Sequence, residues 1–232
     1  METFEAGLSL RNKPMKYDFE TRILKLEDIE IKLLEIKNSD ELFASLLSLE
    51  PDNENVLDER IPYWSELWPS AIALSRHILK SDHIGKGTEV LEIGCGLGLP
   101  GIVAGKKGAS VTFTDYMDDA LDFAKENWKQ NNSPDAKFQL LDWRNPDPSL
   151  AADVLLASDV AYEQRAFEPL LKTFDTMLKP GGIILFSEPG RKYMPAFFQK
   201  LEVAGYRSRK FSYTEFLRGV NSEIGVYEIC KK

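Results

Sequence analysis

The stretch "VLEIGCGLGLPGIVA", from Val90 to Ala104, carries four glycines within eight residues and a carboxylate, Glu92, two positions ahead of the first. Alternating glycines allow positive φ and let a backbone approach a ligand closely, and a plain turn needs fewer of them. Two registers fit. Gly96, Gly98 and Gly101 satisfy G-x-G-x-x-G, the dinucleotide fingerprint, whereas Gly94, Gly96 and Gly98 satisfy G-x-G-x-G. The first register forces the preceding strand through Gly94 and Cys95, draws Glu92 deeper and leaves Pro100 inside the loop. The second sets Glu92 at the strand end, where a carboxylate can meet an ammonium. It also puts Pro100 in the first turn of a helix, where a missing N–H costs little. Two further acids stand at comparable positions. Asp115 closes "SVTFTD" and suits a ribose diol, at a spacing that either kind of ligand would use. Asp142 and Trp143 close "KFQLLDW", an acceptor for an adenine amino group beside an indole that can cover the ring. An ammonium, a ribose diol and an adenine without a pyrophosphate describe S-adenosylmethionine, which is the cofactor expected here.

Such residues need a scaffold that gathers successive strand ends. From Trp64 onward, short apolar runs alternate with helical stripes. "TEVLEI", "SVTFTD", "KFQLLD", "ADVLLASD" and "GGIILFSEP" read as strands, and the segments between several of them read as helices. "MDDALDFAKENWKQN", for example, sets Met117, Ala120, Leu121, Ala124 and Trp128 on one face. Buried, unalternating strands joined by helices predict a parallel sheet covered on both faces. The last two segments, "YRSRKFSYTEF" and "SEIGVYEIC", have no helix between them and are expected to pair antiparallel. The expected fold is therefore α/β, a Rossmann-like doubly wound sheet of seven strands, mostly parallel with an antiparallel edge strand. Ahead of it, "YDFETRILKLEDIEIKLLEI" alternates with period two and predicts a hairpin, and "SDELFASLLSLE" predicts a short helix from Ser39. Pro51 to Arg60 reads as a polar loop. Residues 1–60 are expected to form a hairpin-and-helix appendage that caps the site, and residues 61–232 the main domain.

Composition narrows the function classes. The 232 residues are 43% hydrophobic and carry a formal net charge of −8. An acidic chain gains no general electrostatic help in binding nucleic acid, so no nucleic-acid partner is expected. The basic cluster Arg207, Arg209 and Lys210 is short and reads as a solvated strand face. No apolar run is long enough to span a membrane, and "METFEAGLSLRNK" lacks the apolar core of a secretory signal. Two cysteines, Cys95 and Cys230, suggest no disulfide framework and fit a reducing, cytoplasmic setting. Two histidines, His77 and His83, are too few for a His-based metal centre, and no metal is expected.

The chain resembles the class I, seven-strand S-adenosylmethionine-dependent methyltransferases. "VLEIGCGLG" looks like their first motif and "LKPGGIILF" like their turn into the fifth strand, with "TDY" and "LDW" in order between them. A narrower likeness is to the family 16 branch, the non-SET protein lysine methyltransferases, through "ELWPSAIALSRHIL", "LDW" and "SDVAY". The "LWPSA" wording and the hairpin further resemble a branch that modifies an electron-transfer flavoprotein subunit. The resemblance implies a cofactor site lined by Trp68, Gly94, Cys95, Gly96, Gly98, Asp115, Tyr116, Trp143 and Ser158. It also implies catalytic roles for Asp159 and Tyr162, within a D/E-x-x-Y/F motif. Asp159 would hold and orient a lysine amine, because a carboxylate favours the ammonium and is a poor device for lowering its pKa. Tyr162 would wall the channel and stabilise the cationic product through its ring face. No N/D-P-P-Y follows the fourth strand and no Pro-Cys pair stands there, which disfavours adenine or glutamine amide methylation and cytosine C5 chemistry. The expected function is methylation of a protein lysine. The alternatives are a small amine as acceptor, an NAD-dependent oxidoreductase and an inactive binding module.

Overall fold

The computed structural model describes residues 17–48, 62–132 and 135–232. The stretch before Tyr17 and the expected loop from Pro51 to Arg60 lie outside the described residues. β1 (Phe19–Leu26) and β2 (Ile29–Ile36) pair antiparallel in a two-stranded sheet, and α1 (Ser39–Leu47) follows. The main sheet holds β3 (Glu89–Ile93), β4 (Ser110–Asp115), β5 (Lys137–Leu140), β6 (Ala152–Ser158), β7 (Leu178–Glu188), β8 (Tyr206–Leu217) and β9 (Val220–Lys231). Its order is β5-β4-β3-β6-β7-β9-β8. The pairs from β5 through β7 are parallel, and β9 runs antiparallel to both β7 and β8. The reversed strand thus lies one place in from the edge. A two-residue turn, Arg218 and Gly219, both at positive φ, folds β8 back on β9 and suits the strand twist.

Strand order reverses between β3 and β6, whose carboxyl ends lie side by side with Ile93 opposite Ala157. In open α/β sheets that reversal opens a crevice for ligands. Five helices cover the sheet: α2 (Pro69–Lys80), α3 (Leu99–Lys106), α4 (Asp118–Asn131), α5 (Phe167–Met177) and α6 (Met194–Val203). Successive strand residues feed opposite faces. Val90, Val154 and Leu156 join the core under α2, α3 and α4, while Leu91, Leu155 and Ala157 join the core under α5 and α6. Both faces being buried explains why these strands read as unbroken apolar runs rather than as alternation.

The hairpin shares the first core through Leu26, Ile31 and Leu33. The free edge of β2 would expose unpaired backbone groups, and two amides from α4 meet it instead. Asn127 Oδ1 accepts from Leu34 N at 2.6 Å, and its Nδ2 donates to Leu34 O at 3.2 Å and to Leu97 O at 3.0 Å. One turn along, Asn131 bonds the N–H and carbonyl of Lys32 in the same way. Asn127 is fully buried and reaches from the hairpin into the glycine loop. Replacing it with alanine strands three buried backbone groups, each costing about 1–3 kcal/mol. Asn127→Ala is therefore expected to lose about 3 kcal/mol in urea denaturation, against about 1 kcal/mol for Asn131→Ala at the exposed end of the edge. Equal losses would show that apolar contact alone holds the hairpin.

Candidate active site

The glycine loop leaves β3 and turns three times through left-handed backbone: φ is 60° at Gly94, 50° at Gly96 and 78° at Gly98. Gly98 caps α3, and Pro100 falls in that helix's first turn. Gly101 does something else. A Cβ there would stand 2.3 Å from the Phe113 ring and 2.6 Å from Glu92 Oε2, so this glycine lets α3 pack on the sheet. The G-x-G-x-G register therefore describes the loop, and the overlap with the dinucleotide pattern arises from a packing glycine.

Two buried carboxylates hold this loop. Asp115 Oδ2 accepts from Gly96 N at 3.0 Å, and Oδ1 accepts from Met117 N at 3.0 Å, at the start of α4. Burial raises its pKa from 3.8 to about 6, against the lowering effect of those N–H donors. Glu92 Oε2 accepts from Gly101 N at 3.0 Å. Burial pushes its carboxyl well above the usual range; the Gly101 N–H opposes that, and nearby Asp115 adds to it.

Across the crevice, β6 ends at Ser158, and Asp159 follows at φ 55°, a conformation uncommon outside glycine. Its N–H donates to Ser187 O at 2.9 Å, its carboxylate pairs with Arg191, and Ser70 Oγ lies 3.5 Å from Oδ2. Aromatic rings close the mouth. Tyr63 lies 5.5 Å from Tyr162 and 6.1 Å from Trp68, between ring centroids, and Trp68 Nε1 donates to Tyr63 O at 2.7 Å. Trp143 leans over the loop, with Nε1 4.0 Å from the point where a Cβ on Gly94 would stand.

The family model described as lysine methyltransferase matches residues 61–204. The chain belongs to this family. The chain is 34% identical over 130 residues to a histone-arginine methyltransferase METTL23 of Rattus norvegicus, covering 51% of this chain and 58% of that one. It is 30% identical over 132 residues to an electron transfer flavoprotein beta subunit lysine methyltransferase of Danio rerio, covering 56% of this chain and 51% of that one. It thus spans little more than half the length of these relatives. Among solved structures, a TehB-like SAM-dependent methyltransferase from Corynebacterium glutamicum superposes with TM-score 0.55 at 18% identity, over 84% of this chain and 98% of that one. That likeness concerns the fold.

Within this family member the crevice gathers nearly every residue picked out from sequence. Trp68, Glu92, Gly94, Cys95, Gly96, Gly98, Asp115, Tyr116, Trp143, Ser158, Asp159 and Tyr162 all line it. Asp142 does not. Its carboxylate accepts from Arg144 Nε at 2.8 Å and 2.9 Å. Glu92, expected at the strand end to meet an ammonium, lines the crevice and also accepts from Gly101 N in the first turn of α3. Sequence reasoning missed Tyr63, Trp64, Glu66 and Arg191, which also line the crevice. The aromatic run "YWSELW" was a signal for the first three. Arg191 follows the carboxyl end of β7, where ligand-facing residues belong in this fold.

Asp115 offers a direct test of the described burial. Its folded pKa lies above the unfolded value, so its contribution to stability is full below about pH 4 and is lost as pH rises through about 6. Relative to wild type, Asp115→Asn should gain about 3 kcal/mol between about pH 3.5 and pH 7 in urea denaturation. A difference independent of pH would mean that Asp115 is solvated.

Proposed function

We propose that the chain transfers a methyl group from S-adenosylmethionine to a lysine side chain of a protein. The observation that carries this reading is Asp159, held by Ser187 at the carboxyl end of β6 and facing a crevice whose mouth is aromatic. The residues present suit the cofactor. A Cβ at Gly96 would stand 3.4 Å from Trp64 O, so the loop is a narrow backbone cradle of the kind an amino-acid moiety fits. Asp115 accepts from Gly96 N on Oδ2 and from Met117 N on Oδ1, and a carboxylate keeps further lone-pair capacity for ribose hydroxyls. Trp143 brings its indole Nε1 beside Gly94 and lines the crevice.

When bound, the cofactor supplies a methyl group on a sulfonium; the acceptor's lone pair forms the new N–C bond while the C–S electron pair returns to sulfur. The protein's part is positioning. Asp159 accepts a hydrogen bond from the acceptor amine and aims its lone pair, and the amine's surplus proton leaves to water. Tyr162 and Tyr63 confine the side chain and favour the cationic product through their ring faces. The hairpin and α1, within residues 1–60, shape substrate entry. Ser39 donates to Glu66 at 2.7 Å, and Phe43 meets Tyr63 at 5.8 Å, so α1 reaches the mouth. No helix among the described residues is long and apolar enough to cross a membrane, and the free thiols of Cys95 and Cys230 suit a cytoplasmic setting.

A second acceptor, arginine, is favoured by one contact: Asp159 already pairs with a guanidinium, that of Arg191. The name of the Rattus norvegicus relative points the same way. Lysine remains the better fit, because Arg191 occupies Oδ1, leaving no free carboxylate edge for a second bidentate guanidinium.

Incubating the protein with methyl-labelled S-adenosylmethionine and a cell lysate tests the reading. Label should enter a discrete protein band and appear as methyllysine after acid hydrolysis. Methylarginine would move the assignment to the second acceptor, and label confined to low-mass material would make the acceptor a small amine. Asp159→Ala should lower transfer on the order of a hundredfold while the fold persists. Full activity in that variant would remove Asp159 from the mechanism.

A further inference from the structure

The loop after β7, "EPGRKY", is fastened to the loop after β6 at two points. Arg191 pairs with the Asp159 carboxylate, and the Tyr193 hydroxyl donates to Tyr162 O. A buried carboxylate sets the loop's shape. Glu188 Oε2 accepts from Gly190 N at 2.7 Å and from Arg191 N at 3.0 Å, while Oε1 accepts from the Tyr227 hydroxyl at 3.2 Å. Arg191 is therefore presented by a braced turn and is only 26% exposed, against 12% for Asp159.

The charge balance of the crevice gives that pair a consequence. Among the described residues, its lining includes the carboxylates Glu66, Glu92, Asp115, Asp159 and Glu163, and Arg191 is its one cation. Tyr63, Tyr162 and Cys95 line it as well, and Tyr193 and Glu188 stand behind Arg191. An unpaired carboxylate beside an acceptor amine favours the ammonium, which has no lone pair to attack with. We infer that Arg191 is a positioning residue that neutralises Asp159, so that Oδ2 orients the acceptor amine without holding it as an ammonium. Arg191 takes Oδ1, and among the described residues Oδ2 has only the long 3.5 Å contact from Ser70. In the transfer step the neutral amine forms its N–C bond, the C–S pair returns to sulfur, and the proton lost beforehand goes to water. This inference rests on the proposed amine methylation.

The test is a pH–rate profile on the protein band that the wild type labels, from about pH 6.5 to about 9.5, for wild type, Arg191→Gln and Arg191→Lys. The glutamine keeps a hydrogen-bond donor and removes the charge. It should move the rising limb up by about one pH unit, so that transfer falls about tenfold near neutrality and approaches wild type at the alkaline end. Arg191→Lys should keep the wild-type limb. A uniform loss across the pH range, with thermal unfolding unchanged, would reduce Arg191 to a structural brace and overturn the inference, as would no change at all. If Arg191→Gln unfolds, the Lys profile decides: a displaced limb despite the retained charge overturns the inference. Absence of transfer by the wild type at every pH would overturn the proposed function itself.

Discussion

The crevice depends on one buried carboxylate at the end of β4. Asp115 joins the glycine loop through Gly96 to the first turn of α4 through Met117. Burying that charge is costly, and the backbone N–H donors around it offset only part of the cost, which is why its pKa stays raised to about 6. The sheet cannot relieve the strain by moving Asp115, because Thr114 beside it donates to Glu92 O at 2.7 Å and fixes β4 against β3. A ligand that offers hydroxyl donors to Asp115 supplies the stabilisation that the free protein lacks.

The same loop is held from its other side. Leu97 O accepts from Asn127, whose amide also holds Leu34 of the hairpin. The hairpin and the glycine loop thus share a residue on α4. Tyr17 adds an aromatic link, its ring 5.9 Å from Trp64 and 6.4 Å from Phe123. Trp64 in turn forms part of the wall beside Gly96. Through these contacts the hairpin packs behind the wall that the glycine loop faces.

The parts of this arrangement that were legible in sequence are those with a local signature. Three glycines at alternate positions require left-handed backbone, and Pro100 two residues after Gly98 marks the helix start. Buried parallel strands show as apolar runs, and two β-rich segments without a helix show as a hairpin. The reversed strand's place, one in from the edge, was not legible, because pairing partners are set by tertiary contact. The pairing of Asp142 with Arg144, two residues on, was not read from the sequence either. The bond from Gly101 N to Glu92 was not legible, because nothing in "LEIG" indicates that the side chain turns under α3. Arg191 and Asn127 were invisible, since their partners lie 32 and 93 residues away.

Charge decides between the two ligands that the glycines alone left open. A dinucleotide places its pyrophosphate at the first helix N-terminus, on free N–H groups and positive partial charge. Here the N–H of Gly101 is spent on Glu92, whose side chain lies against that helical turn. Asp115 and Asp159 flank the remaining space, and Arg191, the sole lining cation among the described residues, is bound to Asp159. A diphosphate entering this crevice would meet carboxylates with its own charge unpaired, and like charges at such distances cost several kcal/mol. A cationic ligand meets the same groups favourably. The preference for S-adenosylmethionine over a dinucleotide therefore follows from side chains around the loop, and the glycines serve only to make the space.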